Sequence, residues 1–328
     1  IIHDNVKKEI FFVKNIFSDI KINNLKKKYF EIQDEINSLL IGSKVSKFQK
    51  DNSNKKFSVK SNISKKRFFQ IVNKAKQYIK KGDIFQVVLS QRFESKLTKK
   101  PIEIYKKLRV TNPSPFMFFF NFNDFQIIGA SPEILVRLRN NVITVRPIAG
   151  TRPRGRNNKE DNLLKKDLIN DKKELSEHLM LLDLGRNDAG KVSKINTIKV
   201  TEKFKIEKYS HVMHIVSNVT GLYDKKFSKF ETLMAGFPAG TVSGAPKIRA
   251  MEIIDELEKN SRKIYAGGIG YFSANGDFDT CIALRTAVTK NNKFYVQAGA
   301  GIVADSKPIN EYNETINKAK ALIKSLEK

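Results

Sequence analysis

The order of predicted strands and helices in this chain indicates an α+β fold with antiparallel sheets. Strands are predicted in uninterrupted runs, since MFFFNF, QIIGAS, EILVRLR and VITVRPI follow one another with only turn residues between them. The hairpin-like turns NGD and KNNK join further predicted strands near the C-terminus. A doubly wound parallel sheet would instead alternate each strand with a helix, so we expect antiparallel pairing.

Residues 1–63 are predicted to be the remnant of an N-terminal region followed by a linker. Residues 1–20 have the alternating apolar positions of a strand and then enter a polar turn, and residues 22–40 have the period of an amphipathic helix. The polar stretch 42–63 has almost no hydrophobic period, which is typical of a linker. Because the sequence starts at Ile1 and not at Met, we expect an upstream segment that it does not contain.

From Ser64 onward the hydrophobic residues recur with clear helix and strand periods, and residues 64–328 are predicted to form one domain. Ser64 can cap a helix that runs to about Lys81 and ends at Gly82. The run DIFQVVLSQRFES, rich in β-branched and aromatic residues, predicts a strand. The short helix predicted at residues 101–110 is broken by the two prolines of TNPSPF.

The rest of the chain continues with helices and strands in blocks. Ser243 is a possible cap for a helix at 245–260, with Pro246 in its first turn. The other predicted helices are 159–189, 227–235 and 308–327, and the other predicted strands are GGIGYFSA, DFDTCIALRTAVT and KFYVQAGAGIV.

Composition excludes several classes of protein. No run of eighteen or more apolar residues occurs, so we expect no membrane span and no membrane partner. The single cysteine, Cys281, excludes a disulfide framework and favours a reducing, cytoplasmic location. We expect Cys281 to be a small core residue of a strand.

The formal net charge of +27 would, taken alone, suggest nucleic-acid binding. Lysine is scattered with Asn and Ile along the whole chain, however, whereas specific contacts to bases and phosphates favour clustered arginine. We therefore expect a solvated lysine-rich surface and no nucleic-acid partner. An electrostatic role, such as attracting an anionic substrate, stays open.

Two pairs of glutamates are spaced three residues apart on two predicted helices. Glu174 and Glu177 share a face of the apolar helix KELSEHLMLLDLGRND, and Glu311 and Glu314 share a face of the last helix. Carboxylates taken out of water require positive partners, and four of them can form an oxygen cage suited to Mg²⁺. The alternative is that each pair lies on an exposed helix face and bonds to lysine.

Small residues in GTVSG and AGAGIVAD allow backbone N–H groups to approach an anion such as a carboxylate, although both segments could be ordinary tight turns. Neither segment matches a nucleotide-binding pattern. Arg285 lies in the predicted strand TCIALRTAV. A guanidinium among apolar residues usually has a carboxylate partner, which is either another residue or a substrate.

Two further titratable residues are candidates for catalysis. Glu133 follows a Ser-Pro turn at the start of a strand, where a carboxyl can be an acid with a raised pKa or simply a turn or cap residue. His214 shares a predicted strand face with Val212 and Val216. A lone histidine in such a place is more often a core residue than a catalyst.

Arranged in order along residues 64–328 are the segments SPE, PIAGTRPRG, KELSEHLMLLDLGRND, VMHIVS, FPAGTVSGAPK, YAGGIGY, ALRTA and AGAGIVADS. Together they resemble the chorismate-utilising enzymes, and most closely the large subunits of anthranilate synthases. The resemblance implies that 64–328 is a chorismate-binding catalytic domain. It also implies two antiparallel sheets packed face to face with helices outside, in agreement with the runs of predicted strands.

The resemblance implies a site for both a metal and a substrate. Glu177 and Glu314 would bind Mg²⁺ directly, with Glu174 and Glu311 nearby, and the metal would hold the ring carboxylate of chorismate. Tyr265 and Arg285 would receive the enolpyruvyl carboxylate. The full set of implied substrate-binding residues is Gly150, Thr151, Tyr265, Arg285, Gly299, Ala300 and Gly301. A cation at each end suits a dianion.

The implied reaction is attack of ammonia at ring C2 with departure of the C4 hydroxyl, followed by elimination of pyruvate. Its product is anthranilate, and it is the first committed step of tryptophan biosynthesis. Glu133 matches the general acid that protonates the leaving hydroxyl, because hydroxide is a poor leaving group. His214 matches the histidine of the elimination half, and Thr151 is grouped with them as catalytic.

Two positions favour ammonia over water as the nucleophile and anthranilate as the product. Gln86 stands where the relatives that use water carry lysine, and Ala149 stands where aminodeoxychorismate synthases commonly carry one. An aminodeoxychorismate synthase component I is the alternative within the family. A basic nucleic-acid-binding protein and an inactive subunit are the alternatives outside this activity.

The resemblance also implies a partner and an inhibitor. The chain shows no nucleophilic cysteine with a partnering histidine, so we expect a separate glutamine amidotransferase subunit to supply ammonia. NPSPFMF resembles the segment that contacts the feedback inhibitor tryptophan, which assigns inhibitor contacts to Pro115, Phe116 and Met117. The family's other inhibitor-contact segment lies upstream of this sequence.

Overall fold

The computed structural model describes residues 1–14, 23–42, 58–209 and 212–326, and the chain divides into two compact units. The smaller unit, Ile1–Asn54, contains strands β1 (Ile2–Asp4) and β2 (Glu9–Phe11), which form an antiparallel hairpin, and helix α1 (Asn23–Gly42). The predicted helix is therefore confirmed, whereas the single strand expected before it is a hairpin. Most of the predicted linker lies outside the described residues.

The larger unit, Lys55–Lys328, contains most of the secondary structure. Its strands are β3 (Lys60–Ser61), β4 (Gln86–Lys96), β5 (Phe116–Asn121), β6 (Phe125–Ser131), β7 (Ile134–Arg139), β8 (Val142–Val145), β9 (Ile148–Pro153), β10 (Lys199–Lys208), β11 (Val212–Leu222), β12 (Gly244–Ala245), β13 (Gly268–Phe272), β14 (Phe278–Ile282), β15 (Thr286–Lys290) and β16 (Lys293–Ile302). Its helices are α2 (Lys65–Lys80), α3 (Pro101–Thr111), α4 (Asn158–Asn170), α5 (Lys172–Gly190), α6 (Lys229–Gly236), α7 (Lys247–Leu257) and α8 (Pro308–Leu326).

These strands form two antiparallel sheets. Sheet I has the order β10-β11-β8-β7-β14-β13, with β9 also paired to β11, and sheet II has the order β12-β4-β16-β15-β6-β5, with β3 also paired to β4. The longest pairing in sheet II, between β4 and β16, runs from Lys96 opposite Lys293 to Val87 opposite Ile302. The predicted antiparallel pairing is confirmed.

The sheets pack on each other, and the helices cover their outer faces. Phe118 and Ile127 of sheet II cluster with Cys281 and Ile269 of sheet I. Helices α5 and α6 pack on sheet I, while α2, α3, α7 and α8 pack on sheet II. The expected sandwich with outer helices is thus present, and Cys281 is buried in it as expected. Within the described ranges, no helix is both long enough and apolar enough to cross a membrane.

The predicted helix 159–189 is two helices, α4 and α5. Asp171 ends the first one and caps the second, because its Oδ1 accepts hydrogen bonds from the backbone amides of Lys173 and Glu174 at 3.0 and 3.2 Å. The side-chain cap predicted at Ser64 is confirmed, since its hydroxyl accepts from the amide of Arg67 at 3.2 Å.

The predicted strand DFDTCIALRTAVT is two strands in different sheets. β14 belongs to sheet I and β15 to sheet II, and residues 283–285 connect them. Arg285 therefore does not lie on a strand, and its φ of 46° is in the left-handed region. The predicted strand VITVRPI is also divided, since β8 ends at Val145 and β9 begins at Ile148.

Two further sequence expectations fail for local reasons. Ser243 does not cap α7, because its hydroxyl donates to the carbonyl of Ala239 at 2.8 Å and the helix begins after Pro246. Strand β10 was missed by the sequence analysis. It is an edge strand rich in lysine and glutamate, in which Val200, Phe204 and Ile206 alternate with polar residues but the alternation is interrupted at Glu202.

His178 is fully buried where α5 packs on sheet I. Its Nε2 lies 2.7 Å from the Ser217 hydroxyl, and its ring meets that of Phe204 edge-on at 5.3 Å between centroids. In the described part of the chain its Nδ1 has no hydrogen-bond partner. Burial lowers the pKa of His178 to about 4, so the ring is neutral at physiological pH.

We predict that His178 makes the protein less stable as the pH falls. An unfolded histidine titrates near pH 6.5, so between that pH and about 4 the unfolded chain binds more protons than the folded chain. The free energy of unfolding should therefore decrease across this window by roughly 2 to 3 kcal/mol on account of this residue.

Urea unfolding of the wild type and His178→Gln at pH 7 and pH 4.5 measures this contribution. The difference between the two pH values should be smaller in the variant, while His3→Gln, at an exposed position, should leave it unchanged. The same pH dependence in His178→Gln and wild type would contradict the prediction.

Candidate active site

Helices α5 and α8 bring the two glutamate pairs to one place. Burial and the negative charges of Glu174 and Glu314 raise the pKa of Glu177. Burial and Glu314 likewise raise the pKa of Glu311. Carboxylates from helices on different sheets therefore face one another closely enough to repel.

Two of these carboxylates have cationic partners. Oε1 of Glu174 accepts a hydrogen bond from Nη1 of Arg152 at 3.1 Å. Oε1 of Glu314 forms an ion pair with Nζ of Lys318, one turn further along α8, at 2.7 Å. The expectation that glutamates in an apolar helix need a positive partner is thus met for Glu174, and its partner comes from β9.

Glu177 has a different environment. Its hydrogen-bond partner is Gln86, whose Nε2 donates to Oε1 at 3.2 Å, and no ion pair to Glu177 is found in the described ranges. The buried Oε1 of Gln86 has no hydrogen-bond partner there either. No three Asp, Glu, His or Cys side chains among the described residues are close enough to hold a metal ion, so the predicted cage of four carboxylates is not formed among them. Glu177 and Glu314 still influence each other directly.

Strand β16 forms one wall of the site through its glycines. A Cβ atom on Gly299 would lie 2.7 Å from the Tyr265 hydroxyl, and one on Gly301 would lie 2.4 Å from Nε2 of Gln86. Because glycine has no side chain, the Tyr265 hydroxyl and the Gln86 amide can lie against the backbone of β16. The side chain of Ala300, between the two glycines, is buried. Burial raises the pKa of Tyr265 to about 12, so its phenol stays protonated and can donate a hydrogen bond.

Arg285 lies on the connection between the two sheets. Burial lowers the pKa of its guanidinium, although Glu133 and Tyr209 oppose this. In the part of the chain that the structure describes, no Asp or Glu forms an ion pair with Arg285. The sequence predicted that its partner is either the carboxylate of another residue or a substrate. The first is not found among the described residues, so the guanidinium is available to a carboxylate ligand.

Glu133 is buried directly before β7. Burial raises its pKa to about 7, even though the positive charges of Lys318 and Arg285 favour the carboxylate. Lys318 was missed by the sequence analysis, and its Nζ also donates to the carbonyl of Gly299 at 3.0 Å. The signal that could have found it is its spacing of four residues from Glu314 on one helix.

His214 faces Thr151 where β11 pairs with β9. Its Nδ1 lies 3.0 Å from both the Gly150 carbonyl oxygen and the Thr151 hydroxyl. Because a carbonyl oxygen only accepts hydrogen bonds, Nδ1 carries the proton in the neutral ring and Nε2 keeps a lone pair. Burial lowers the pKa of His214, which favours that neutral form. Gly150 joins this group to the glutamates, since a Cβ there would lie 3.2 Å from Oε2 of Glu174.

The three residues assigned to inhibitor contacts divide between a cavity and the core. Pro115 and Phe116 line a cavity of about 490 Å³, but Met117 packs with the core of sheet II, because successive strand residues point to opposite faces. The cavity is also lined by Arg137, Arg139, Arg146, Tyr271 and Asp279. The cavity can therefore contact both charged and aromatic groups of a ligand.

Asp279 has one paired and one unpaired oxygen in this cavity. Its Oδ2 bonds to Nε of Arg137 at 3.1 Å and to Nη2 of Arg139 at 2.7 Å. Its buried Oδ1 has no hydrogen-bond partner among the described residues. An unpaired buried carboxylate oxygen is costly, so it can accept a donor from a ligand.

Comparison with known proteins agrees with this geometry. The family model for chorismate binding enzymes matches residues 3–324, so the chain belongs to that family. Anthranilate synthase component 1 from Cereibacter sphaeroides is 61% identical over 269 residues, covering 82% of this chain and 54% of the relative. Anthranilate synthase component 1 from Acetivibrio thermocellus is 50% identical over 335 residues, covering 100% of this chain and 67% of the relative.

A solved structure has the same fold. Anthranilate synthase component I from Streptococcus pneumoniae TIGR4 matches with a TM-score of 0.88 and 43% identity, over 98% of this chain and 71% of that one. The resemblance inferred from the sequence and the two-sheet sandwich are both confirmed. The chain spans between about half and two thirds of the length of the two relatives above.

We predict that removing either nearby cation raises the pKa of Glu133 further above 7, because Arg285 and Lys318 stabilise its carboxylate. Arg285→Met and Lys318→Met should each move the midpoint upward in a ¹³C NMR titration of labelled glutamate, with the Glu133 signal assigned from Glu133→Gln. Lys320→Met, at an exposed position of the same helix, should leave the midpoint in place. An unmoved midpoint in both site variants would show that Glu133 does not face these cations.

Proposed function

We propose that this chain converts chorismate and ammonia to anthranilate and pyruvate, in the first committed step of tryptophan biosynthesis. Membership of the family and the names of its relatives support this assignment. The observation that carries it is the charge arrangement of one site, in which repelling carboxylates lie at one end and Arg285, which has no carboxylate partner among the described residues, lies at the other. Chorismate carries two carboxylates, so it needs a cation at each end.

The cation at the acidic end is proposed to be Mg²⁺. Glu177 and Glu314 supply oxygen ligands, which this hard ion prefers. Burial and mutual repulsion raise the free energy of the ionised pair, and a bound divalent ion would relieve that cost. When bound, the metal would act as a Lewis acid towards the ring carboxylate. Glu174, already paired with Arg152, and Glu311 would support the two ligands.

At the opposite end, Arg285 and Tyr265 would bind the enolpyruvyl carboxylate. The guanidinium can make two parallel hydrogen bonds to it, and the protonated phenol can donate a third. The backbone of Gly299, Ala300 and Gly301 forms the adjacent wall, which Lys318 braces through its bond to the Gly299 carbonyl. Gly150 and Thr151 would line the ring side of the substrate.

Glu133 and His214 would move the protons. With a pKa of about 7, Glu133 is partly protonated at neutral pH and can protonate the C4 hydroxyl, which leaves as water while ammonia bonds to C2. Nε2 of His214 keeps the lone pair that would take the proton from C2. That removal drives cleavage of the bond between C3 and the enolpyruvyl oxygen, which aromatises the ring and releases the enolate of pyruvate, and a proton taken up at its methylene carbon gives pyruvate.

The nucleophile is proposed to come from a glutamine amidotransferase subunit. The only cysteine, Cys281, is buried, and burial raises its pKa to about 12, so it cannot act as the thiolate that glutamine hydrolysis requires. The relatives are named as component 1 of their enzyme, which supports a second component. Gln86 favours ammonia, because a neutral amide cannot activate water as a lysine could. Its Oε1, for which the described part of the chain offers no hydrogen-bond partner, can accept an N–H.

Glu177→Gln is expected to lower anthranilate formation at least about 100-fold, because it removes a charged ligand while keeping the size of the side chain. The assay is anthranilate fluorescence with chorismate, ammonium and Mg²⁺, repeated with EDTA. Asp183→Asn is the matched control, since Asp183 is an exposed residue of the same helix that pairs with Arg186. Activity of Glu177→Gln equal to the control, or turnover that EDTA does not affect, would contradict the metal role.

Product analysis separates the alternative. Anthranilate with an equal amount of pyruvate supports the proposed reaction, whereas an amino product without pyruvate would indicate an aminodeoxychorismate synthase. No turnover by the folded chain, together with salt-sensitive binding to DNA, would favour the nucleic-acid-binding alternative.

We also propose that the cavity beside Phe116 binds tryptophan as an inhibitor. Its aromatic lining suits the indole, its arginines suit the carboxylate and the unpaired Oδ1 of Asp279 suits the ammonium. Asp279→Asn should weaken tryptophan binding by about tenfold or more, as expected for the loss of a charged hydrogen bond. Calorimetric titration measures this, with Asp277→Asn as the control at a half-buried site that does not line the cavity. Equal affinities in all three proteins would rule the site out.

A further inference from the structure

A buried ion pair lies next to strand β4, which pairs with the wall of the site formed by Gly299, Ala300 and Gly301, and takes no part in the chemistry proposed above. Glu258 follows α7, and Arg262 follows four residues later, with side chains that are 7% and 16% exposed. Nε of Arg262 donates to Oε2 of Glu258 at 2.9 Å, and Nη2 donates to Oε1 at 2.6 Å. The two groups therefore form a bidentate pair of fixed geometry.

The pair bonds to backbone from two other parts of the chain. Nη1 of Arg262 donates to the carbonyl of Val242 at 2.7 Å, and Nη2 donates to the carbonyl of Val88 at 2.6 Å. Oε1 of Glu258 accepts from the amide and the hydroxyl of Ser90 at 2.7 and 2.9 Å. The end of α7, the segment before β12 and strand β4 are thereby joined at one point.

The same arginine supports Tyr265 directly. Its guanidinium carbon lies 5.5 Å from the centre of the tyrosine ring, and its carbonyl accepts a hydrogen bond from the Tyr265 amide at 3.1 Å. The Tyr265 hydroxyl lies against Gly299, which is paired with Ser90 across β4 and β16. Arg262 thus contacts Tyr265, and both Arg262 and Glu258 contact β4, the strand that is paired with Gly299 and Gly301 of β16.

We propose that Glu258 and Arg262 are positioning residues that hold the Tyr265 hydroxyl against β16, and so set the geometry of the carboxylate subsite. This inference rests on the proposed function. A buried ion pair is a weak source of stability compared with apolar packing, so its directional bonds are the property that apolar residues could not replace. Lysine could keep the charge but not the planar fork that reaches Glu258, Val88 and Val242 together.

A double-mutant cycle between Arg262 and Tyr265 tests the proposal. Arg262→Lys should raise KM for chorismate about tenfold while changing kcat much less, because the lost interaction concerns binding of a carboxylate. In the Tyr265→Phe background, which lacks the hydroxyl, the same substitution should raise KM by less than about twofold. Additive effects on KM would overturn the proposal.

Arg249→Lys is the matched control. Arg249 is on α7, its guanidinium carbon lies 5.3 Å from the ring centre of Tyr78, and it forms ion pairs with Asp83 and Glu252. Arg249 thus pairs with carboxylates and lies over a tyrosine ring as Arg262 does, but its partners are not residues of the proposed substrate site. It should leave KM unchanged, and a KM increase equal to that of Arg262→Lys would overturn the proposal.

A second measurement needs no activity and separates this inference from the proposed function. With 3-fluorotyrosine placed at position 265, the ¹⁹F signal should move in Arg262→Lys and in Glu258→Gln, but not in Arg249→Lys. An unmoved signal in both site variants overturns the inference even if chorismate is turned over. If chorismate is not turned over but the signal moves as expected, the proposed function fails and the positioning of Tyr265 stands. Glu258→Gln alone decides the result if Arg262→Lys does not fold.

Discussion

The repulsion between carboxylates on α5 and α8 is the constraint around which the site is arranged. Glu177 belongs to a helix packed on sheet I and Glu314 to a helix packed on sheet II, so the packing of the two sheets sets how close the two helices come. Arg152 and Lys318 offset the charge of the neighbouring carboxylates but leave Glu177 with a neutral amide. Among the described residues Glu177 therefore has no cationic partner in a partly buried place, and a proton or a bound cation would balance its charge.

The opposite end of the site has the opposite imbalance. Arg285 is half-buried without a carboxylate partner in the described ranges, and the buried Glu133 near it is half protonated close to neutral pH. Charges interact more strongly in such an environment than in water. A negative group of a ligand would thus be attracted at Arg285, whereas at the acidic end it would be repelled unless a cation were bound there.

Much of this could be predicted from the sequence where the signals are local. The Ser64 cap, the strand runs and the three-residue spacing of the glutamates depend on a few adjacent residues, and the structure follows them. The break at residues 283–285 could not be predicted, because the apolar pattern continues while the chain changes sheets. Lys318 is one of 61 lysines and arginines; its spacing from Glu314 is a sequence signal, but its contact with Gly299 depends on the packing of α8 against β16. The mutual approach of α5 and α8 likewise depends on how the sheets pack.

The short connection that carries Arg285 has a mechanical consequence. Since residues 283–285 are tethered to β14 in one sheet and to β15 in the other, a small sliding of the sheets over each other displaces the guanidinium. The cavity of Phe116 and Tyr271 is lined from both sheets at once. A molecule bound in this cavity would oppose or favour such sliding. Its binding would therefore change the position of Arg285, and with it the affinity of Arg285 for a carboxylate, although the two sites share no atom.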